Sequence, residues 1–182
     1  FPEEGKYHLD GHRDCRVVLT PGETAGRGGI CPVCGKKVTV GVLSRVEELA
    51  DRHDGTMPAS GRPFFSLIPL AEIVAELMGV GSATGRVRQA CDSLVASLGS
   101  ELHLLLEADI EDIRLAAGDT LALAVGRMRA GEVHREAGFD GEYGRIRVFR
   151  DSEGDRLSSG ELLGKPLVRP SRREAGLRPR RA

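Results

Sequence analysis

The sequence predicts an α+β fold: an N-terminal zinc ribbon, a helical region, a short β-hairpin-containing end and a disordered basic tail. Three observations carry this. Two closely spaced Cys/His pairs stand near the amino end, helical apolar periodicity dominates residues 70–128, and period-two alternation flanks it on both sides. The composition agrees, with no Trp, two Tyr, five Phe and 24 Gly. A core so poor in aromatics is built from Leu, Val, Ile and Ala, and the glycines suit tight turns better than a large β-sandwich.

A chain of 182 residues, 40% hydrophobic and 29% charged, can bury one ordinary core or two small ones. No stretch approaches the roughly 18 consecutive apolar residues of a membrane span. The start, Phe1-Pro2-Glu3-Glu4, lacks the basic and apolar regions of a secretory signal. Membrane and export functions are therefore set aside, and a cytoplasmic location is expected. Phe1 in place of Met indicates a processed chain or a segment of a longer one, the second being the expectation here. Three parts follow from the patterning: a zinc ribbon with its following helix over 1–54, a helical region ending in a hairpin over 55–150, and a basic linker or tail over 151–182.

The first part is defined by cysteine spacing. Cys31-Pro32-Val33-Cys34-Gly35-Lys36 places two thiols on one tight turn, with Gly35 letting the backbone pass beneath them. Upstream stand His12 and Cys15, so the whole reads His12-x2-Cys15-x15-Cys31-x2-Cys34. This is the spacing of a two-knuckle ribbon holding Zn2+ in a closed Cys₃His site. A site with four protein ligands is structural, because no position remains for an activated water. The competing readings are a free thiol pair or a thioredoxin-like motif, but no βαβ pattern surrounds the CxxC. His8 is the alternative fourth ligand, at a wider spacing. Cys91 lies on an apolar helical face with Val87, Ala90, Leu94, Val95 and Leu98, the setting of an inert core thiol.

After the second knuckle, Val38, Val40 and Val42 alternate with Lys37, Thr39 and Gly41 as a short strand. Ser44 with Glu47 resembles a capping box, opening a helix with Val46, Leu49 and Ala50 on one face and ending near Gly55. Pro58, Pro63 and Pro69 impose an irregular connector. Leu70, Ile73, Val74, Leu77 and Met78 then predict an amphipathic helix with Pro69 at its first turn and Gly79 at its end. A second helix runs from an N-cap at Ser82 to Leu98, stopped by Gly99. Leu102–Leu106 is an apolar run that periodicity leaves undecided, and 110–128 reads as one long helix despite Gly118 and Gly126. Strands at 132–136 and 145–150 frame the loop Ala137–Gly144. No internal repeat is evident.

Charge is segregated. Residues 165–182 carry seven basic side chains against the single acid Glu174, a net +6 that leaves −7 for residues 1–164. With Pro166, Pro170 and Pro179 and few apolar residues, this tail is read as a linker, or as a non-specific phosphate-binding arm. Around the knuckles, Lys6, Arg13, Arg16, Arg27, Lys36, Lys37 and Arg45 could touch phosphates, with Arg13, Arg16, Lys36, Lys37 and Arg45 the candidate contacts, the alternative being a solvated basic face. In the 137–144 loop, Phe139 and Tyr143 could stack on an exposed base, with Asp140 and Glu142 hydrogen-bonding it; otherwise both rings pack back on the helices.

The segments Tyr7–Cys15, Cys31–Lys36, Val40–Val42 through Arg45–Arg52, Ser66–Leu70 and Gly138–Gly144 together resemble, in this order, the endonuclease Q family, over roughly residues 1–150. The resemblance implies a DNA-repair nuclease that nicks DNA beside deaminated bases such as uracil and hypoxanthine. It further implies an N-terminal PHP-type metal domain that cuts, followed by zinc-binding and helical regions. The chain departs from the full pattern where cutting is concerned: it has no His-x-His opening motif, and the carboxylate and His ligands of a PHP site are absent. It therefore matches the non-catalytic C-terminal portion, with DNA and a PHP nuclease domain outside this chain as expected partners. Some relatives are similar to fusions with a UvrD-type helicase, for which the basic tail would be the linker; no Gly-x4-Gly-Lys-Ser/Thr loop occurs here. Three functions stay open: a DNA-recognition module, an enzyme using this zinc, and a structural connector without DNA affinity.

Overall fold

In a computed structural model of the chain, residues 1–52, 61–150 and 153 are described. The expected helix end near Gly55, Pro58 of the connector and the basic tail fall outside the described residues. Those described are α+β, with two small antiparallel sheets and seven α-helices among them.

The amino-terminal part is built from two hairpin tips. Strand β1 (Asp10–His12) pairs with β2 (Val17–Leu19), Asp10 opposite Leu19 and His12 opposite Val17. The turn between them is a 3-10 segment, Arg13–Cys15, closed by Arg16 at a left-handed φ of 51°. Helix α1 (Pro21–Gly26) follows. It is opened by a capping box that the sequence reading overlooked, the Thr20 hydroxyl accepting from Glu23 N–H and the Glu23 carboxylate accepting from Thr20 N–H. The second tip spans Ile30 to Lys37, with Cys31 N–H donating to Lys36 O at 2.8 Å.

The strand expected at 38–42 is reduced to bridges. Gly11 and Thr39 exchange both backbone hydrogen bonds, at 2.9 and 2.8 Å, but Val40 is exposed and Val42 already begins helix α2 (Val42–Leu49). The expected capping box at Ser44 is also not formed. The buried Asp10 carboxylate accepts from Gly41 N–H at 2.5 Å and from Ser44 Oγ at 2.8 Å. A carboxylate from β1 thus starts the helix three residues earlier than the local sequence indicates, and Ser44 is left inside it. Val46 and Leu49, expected to be inward, are exposed.

Helix α3 (Leu70–Met78) has Pro69 as N-cap and Gly79 as its left-handed end, and buries Leu70, Ile73, Val74, Ala75 and Leu77. Helix α4 (Gly85–Leu98) begins later than expected, because Thr84 rather than Ser82 is the cap, its hydroxyl accepting from Val87 N–H. Gly99 ends it. The undecided run is helix α5 (Glu101–Leu106), capped by Ser100. The expected single helix over 110–128 divides into α6 (Ile110–Ala117) and α7 (Asp119–Ala130) at Gly118, whose φ of 93° and ψ of 171° no helix contains. Two helical hairpins, α3–α4 and α6–α7, are thereby joined through α5 and share one core, where Ile73, Val74, Val87, Leu104, Ile113, Leu121 and Val125 are fully buried. Each such side chain contributes about 1.5–3 kcal/mol.

The carboxyl-terminal strands are shorter than expected. β3 (His134–Glu136) pairs with β4 (Arg145–Arg147), Arg135 opposite Ile146. Past β4 the chain leaves the ladder because Glu76 of α3 accepts from Val148 N–H at 3.0 Å and Phe149 N–H at 2.7 Å, fixing both residues in the helical core. Among the described residues no helix is long and apolar enough to cross a membrane.

Candidate metal centre and adjoining surface

The two hairpin tips face each other. His12 ends β1, Cys15 lies in the 3-10 turn, and Cys31 and Cys34 occupy the second tip, where Gly35 N–H donates to Cys31 O at 3.0 Å and Gly35 takes a φ of 71°. The ligand atoms of His12, Cys15, Cys31 and Cys34 all lie within 4.8 Å of one another, and Cys34 Sγ is 3.7 Å from His12 Nδ1. A tetrahedron with Zn–S of about 2.3 Å has edges of about 3.8 Å, so the spacing and the donor set both fit such an ion. Cys31 is buried and packs with Leu19 and Val38 in a small core of its own. His8 and Cys91 are outside this cluster; Cys91 sits half-buried on α4 against the helical core.

The electrostatics of the cluster are uneven. Burial pushes the Cys15 thiol up to about 11, aided by its hydrogen bonds with Cys34 and Cys31. Burial also raises Cys31, but the N–H groups of Cys34 and Val33 aimed at its sulfur outweigh this and hold it below the usual thiol range. The knuckle amides thus favour a thiolate at Cys31, whereas Cys15, beside the other two sulfurs, is held in its neutral form.

The Gly138–Gly144 loop is a clasp. Asp140, at a left-handed φ of 43°, accepts from Arg13 N–H through Oδ2 at 2.6 Å and from the Thr39 hydroxyl through Oδ1. These hydrogen bonds hold its carboxyl below the usual range, as does the nearby positive charge of Arg13. Around it, Leu9 N–H donates to Gly138 O, Gly138 N–H to Glu3 O, Gly141 N–H to Lys6 O and Gly144 N–H to Glu4 O, at 2.8 to 3.0 Å. Residues 3–13 and 138–144 are therefore laced together along their backbones.

The remaining candidate residues fall into different settings. The Phe139 ring is turned against Gly11, neither outward nor onto the helices; a Cβ at Gly11 would stand 2.6 Å from it. Tyr143 is 74% exposed. Arg13, Arg16, Lys36 and Lys37 are exposed around the tips, whereas Arg45 on α2 pairs with Glu48 at 2.6 Å. Asp140 is committed to the clasp, and Glu142 is exposed. Lys6, one of the cations the sequence places near the knuckles, and Tyr7, to which sequence reasoning gave no role, share the exposed side of the clasp with Tyr143: Lys6 Nζ lies 5.4 Å from the Tyr7 ring centre and 5.8 Å from that of Tyr143. Positions 6 and 143 give no local hint of each other.

The fold and site define a class of protein: a Cys/His knuckle pair clasped to a unit of two helical hairpins. Among known proteins, the family described as the MJ0043 C-terminal domain matches residues 69–132. Two uncharacterised proteins are similar. MJ0043 of Methanocaldococcus jannaschii is 33% identical over 148 residues, 80% of this chain and 18% of that protein. YqxK of Bacillus subtilis is 35% identical over 149 residues, 80% of this chain and 34% of that protein. Among solved structures, the lesion-specific endonuclease PfuEndoQ from Pyrococcus furiosus superimposes with a TM-score of 0.71 at 30% identity, over 87% of this chain and 40% of that one. Endonuclease Q in complex with a 27-mer duplex substrate carrying an abasic lesion gives 0.67 at 30% identity, over 91% of this chain and 38% of that one. The chain thus spans between 18 and 40% of the length of these relatives.

Proposed function

We propose that this chain is the non-catalytic, zinc-containing DNA-engaging portion of an endonuclease Q-like repair nuclease acting on deaminated bases, with a PHP-type nuclease domain lying outside it. The observation that carries the reading is the similarity to endonuclease Q, over 87% of this chain at 30% identity. Zinc would be held by His12, Cys15, Cys31 and Cys34 and would supply folding free energy to a region whose own core is only Leu19, Cys31 and Val38 with Cys15 and Val17 beside it. Four protein ligands leave no position for an activated water, which argues against an enzyme built on this ion. The cations that support DNA engagement are Arg13, Arg16, Lys36 and Lys37, all exposed at the tips.

Fluorescence anisotropy with a labelled duplex, normal or containing uracil or hypoxanthine, tests the reading. Binding that weakens steeply with added salt is expected; no binding to any of the duplexes would overturn it. A second reading, a connector between a nuclease and a UvrD-type helicase without DNA affinity, draws support from α2, where Val42, Val46 and Leu49 are 62%, 54% and 65% exposed along one face. It predicts that the duplexes are ignored.

A further inference from the structure

We propose that Tyr7 and Tyr143, with Lys6 between them and Arg13 beside them, form a stacking platform for unpaired bases of a DNA strand. The inference rests on the DNA-engaging reading and deepens it by assigning both a surface and the part of DNA it takes.

The platform is assembled from distant parts of the chain and held rigid. Lys6 Nζ is within cation–π range of both rings. Gly141 sits at its centre, where a Cβ would stand 3.6 Å from both Tyr7 Oη and Arg13 Nη1. The backbones beneath are pinned by Gly141 N–H to Lys6 O at 2.9 Å and by Arg13 N–H to the Asp140 carboxylate at 2.6 Å. A single exposed tyrosine is ordinary. Two of them, 44% and 74% exposed, meet at one ammonium that lies over a face of each ring and sets positive charge beside the exposed remainder of both. None of Lys6, Arg13 and Arg16 is in an ion pair among the described residues.

That chemistry fits a base and its phosphate better than an apolar peptide, because stacking needs flat accessible faces and the adjoining cations need an anion. The groove of about 1100 Å³ that Tyr143 also lines is less suited: Glu4, Glu72 and Glu76 offset Arg145, Arg147 and Arg150 on its walls. Burial and the nearby Glu4 raise Glu72 above the usual carboxylate range, so the acids already crowd one another there. A strand is therefore routed over the platform.

The chain contains no Trp and two Tyr, Tyr7 and Tyr143, so its aromatic emission near 300 nm reports on the platform alone. The full chain is titrated with unlabelled single-stranded oligothymidylate and, in parallel, with an abasic oligomer of equal length and phosphate charge. Saturable quenching by the first and little by the second is expected. Tyr143→Leu should weaken oligothymidylate binding about tenfold, while Tyr143→Phe, which keeps the ring, should stay near wild type. Equal quenching by both oligomers would reduce the surface to a phosphate contact and overturn the platform. Binding seen by anisotropy without any change in emission would overturn it too, leaving DNA engagement intact elsewhere. Failure of strand and duplex alike would remove both readings.

Discussion

At the scale of single residues, the clasp depends on glycines chosen for space. Gly138 and Gly144 have no left-handed φ, yet a Cβ at Gly138 would meet Gly5 O at 2.4 Å and one at Gly144 would meet Glu3 O at 2.1 Å. Both neighbours are backbone, which cannot turn aside as a flexible side chain would. Gly144→Ala is therefore expected to destabilise the protein by about 3 kcal/mol, read as a lowered urea midpoint at unchanged slope. Glycine abundance is visible in the sequence; which glycines carry this duty is not, because the nearest atoms they make room for lie at residues 3 and 5, and the next at Glu136, Glu142 and each other only once the loop has folded. Asp140 is similar. Its place in an Asp-Gly-Glu-Tyr-Gly loop suggested hydrogen bonding to a base, whereas its partners prove to be Arg13 and Thr39 of the same chain.

At the scale of elements, helices with local punctuation were legible and helices governed from afar were not. The period and the flanking Pro69 and Gly79 suffice for α3. α2 starts where Asp10 reaches it, from a strand more than a knuckle away, and only the tertiary pairing could reveal that. Asp10→Ala should leave Gly41 N–H and Ser44 Oγ without their acceptor and cost about 1–3 kcal/mol. Hydrogen exchange at the first turn of α2 should rise well above that in α3, and equal protection in variant and wild type would contradict the assignment. Gly41 itself cannot be replaced as a route to the same test, since a Cβ there would strike Leu9 C and O at 2.5 Å. The break at Gly118 was missed for another reason: apolar spacing continues across it, so the pattern looked uninterrupted while the backbone turned.

At the scale of the whole molecule, two cores of unequal size are tied by a clasp. The helical core is large and apolar; the core between the hairpin tips consists of a few residues and the candidate ion. Chelation with a strong zinc-binding agent should therefore loosen the amino-terminal part while leaving most of the helical signal in circular dichroism intact. One cooperative loss of all helix on chelation would show instead that the ion supports the entire structure. The candidate ligand set was the most legible part of the site, because knuckle geometry is written in two short spacings. The aromatic–cation surface was partly legible: Tyr143, Arg13 and Lys6 are candidates by residue type, while Tyr7, and the meeting of Lys6 with both rings, become meaningful only once the loop has closed over them.

That closure has a temporal side. A ribosome delivers residues 3–13 long before residues 138–144, so the amides and carbonyls at Glu3, Glu4, Lys6 and Leu9 must wait, hydrated, through nearly the whole helical unit before their mates emerge. Within residues 1–150, the stretch made earliest is the last to be finished.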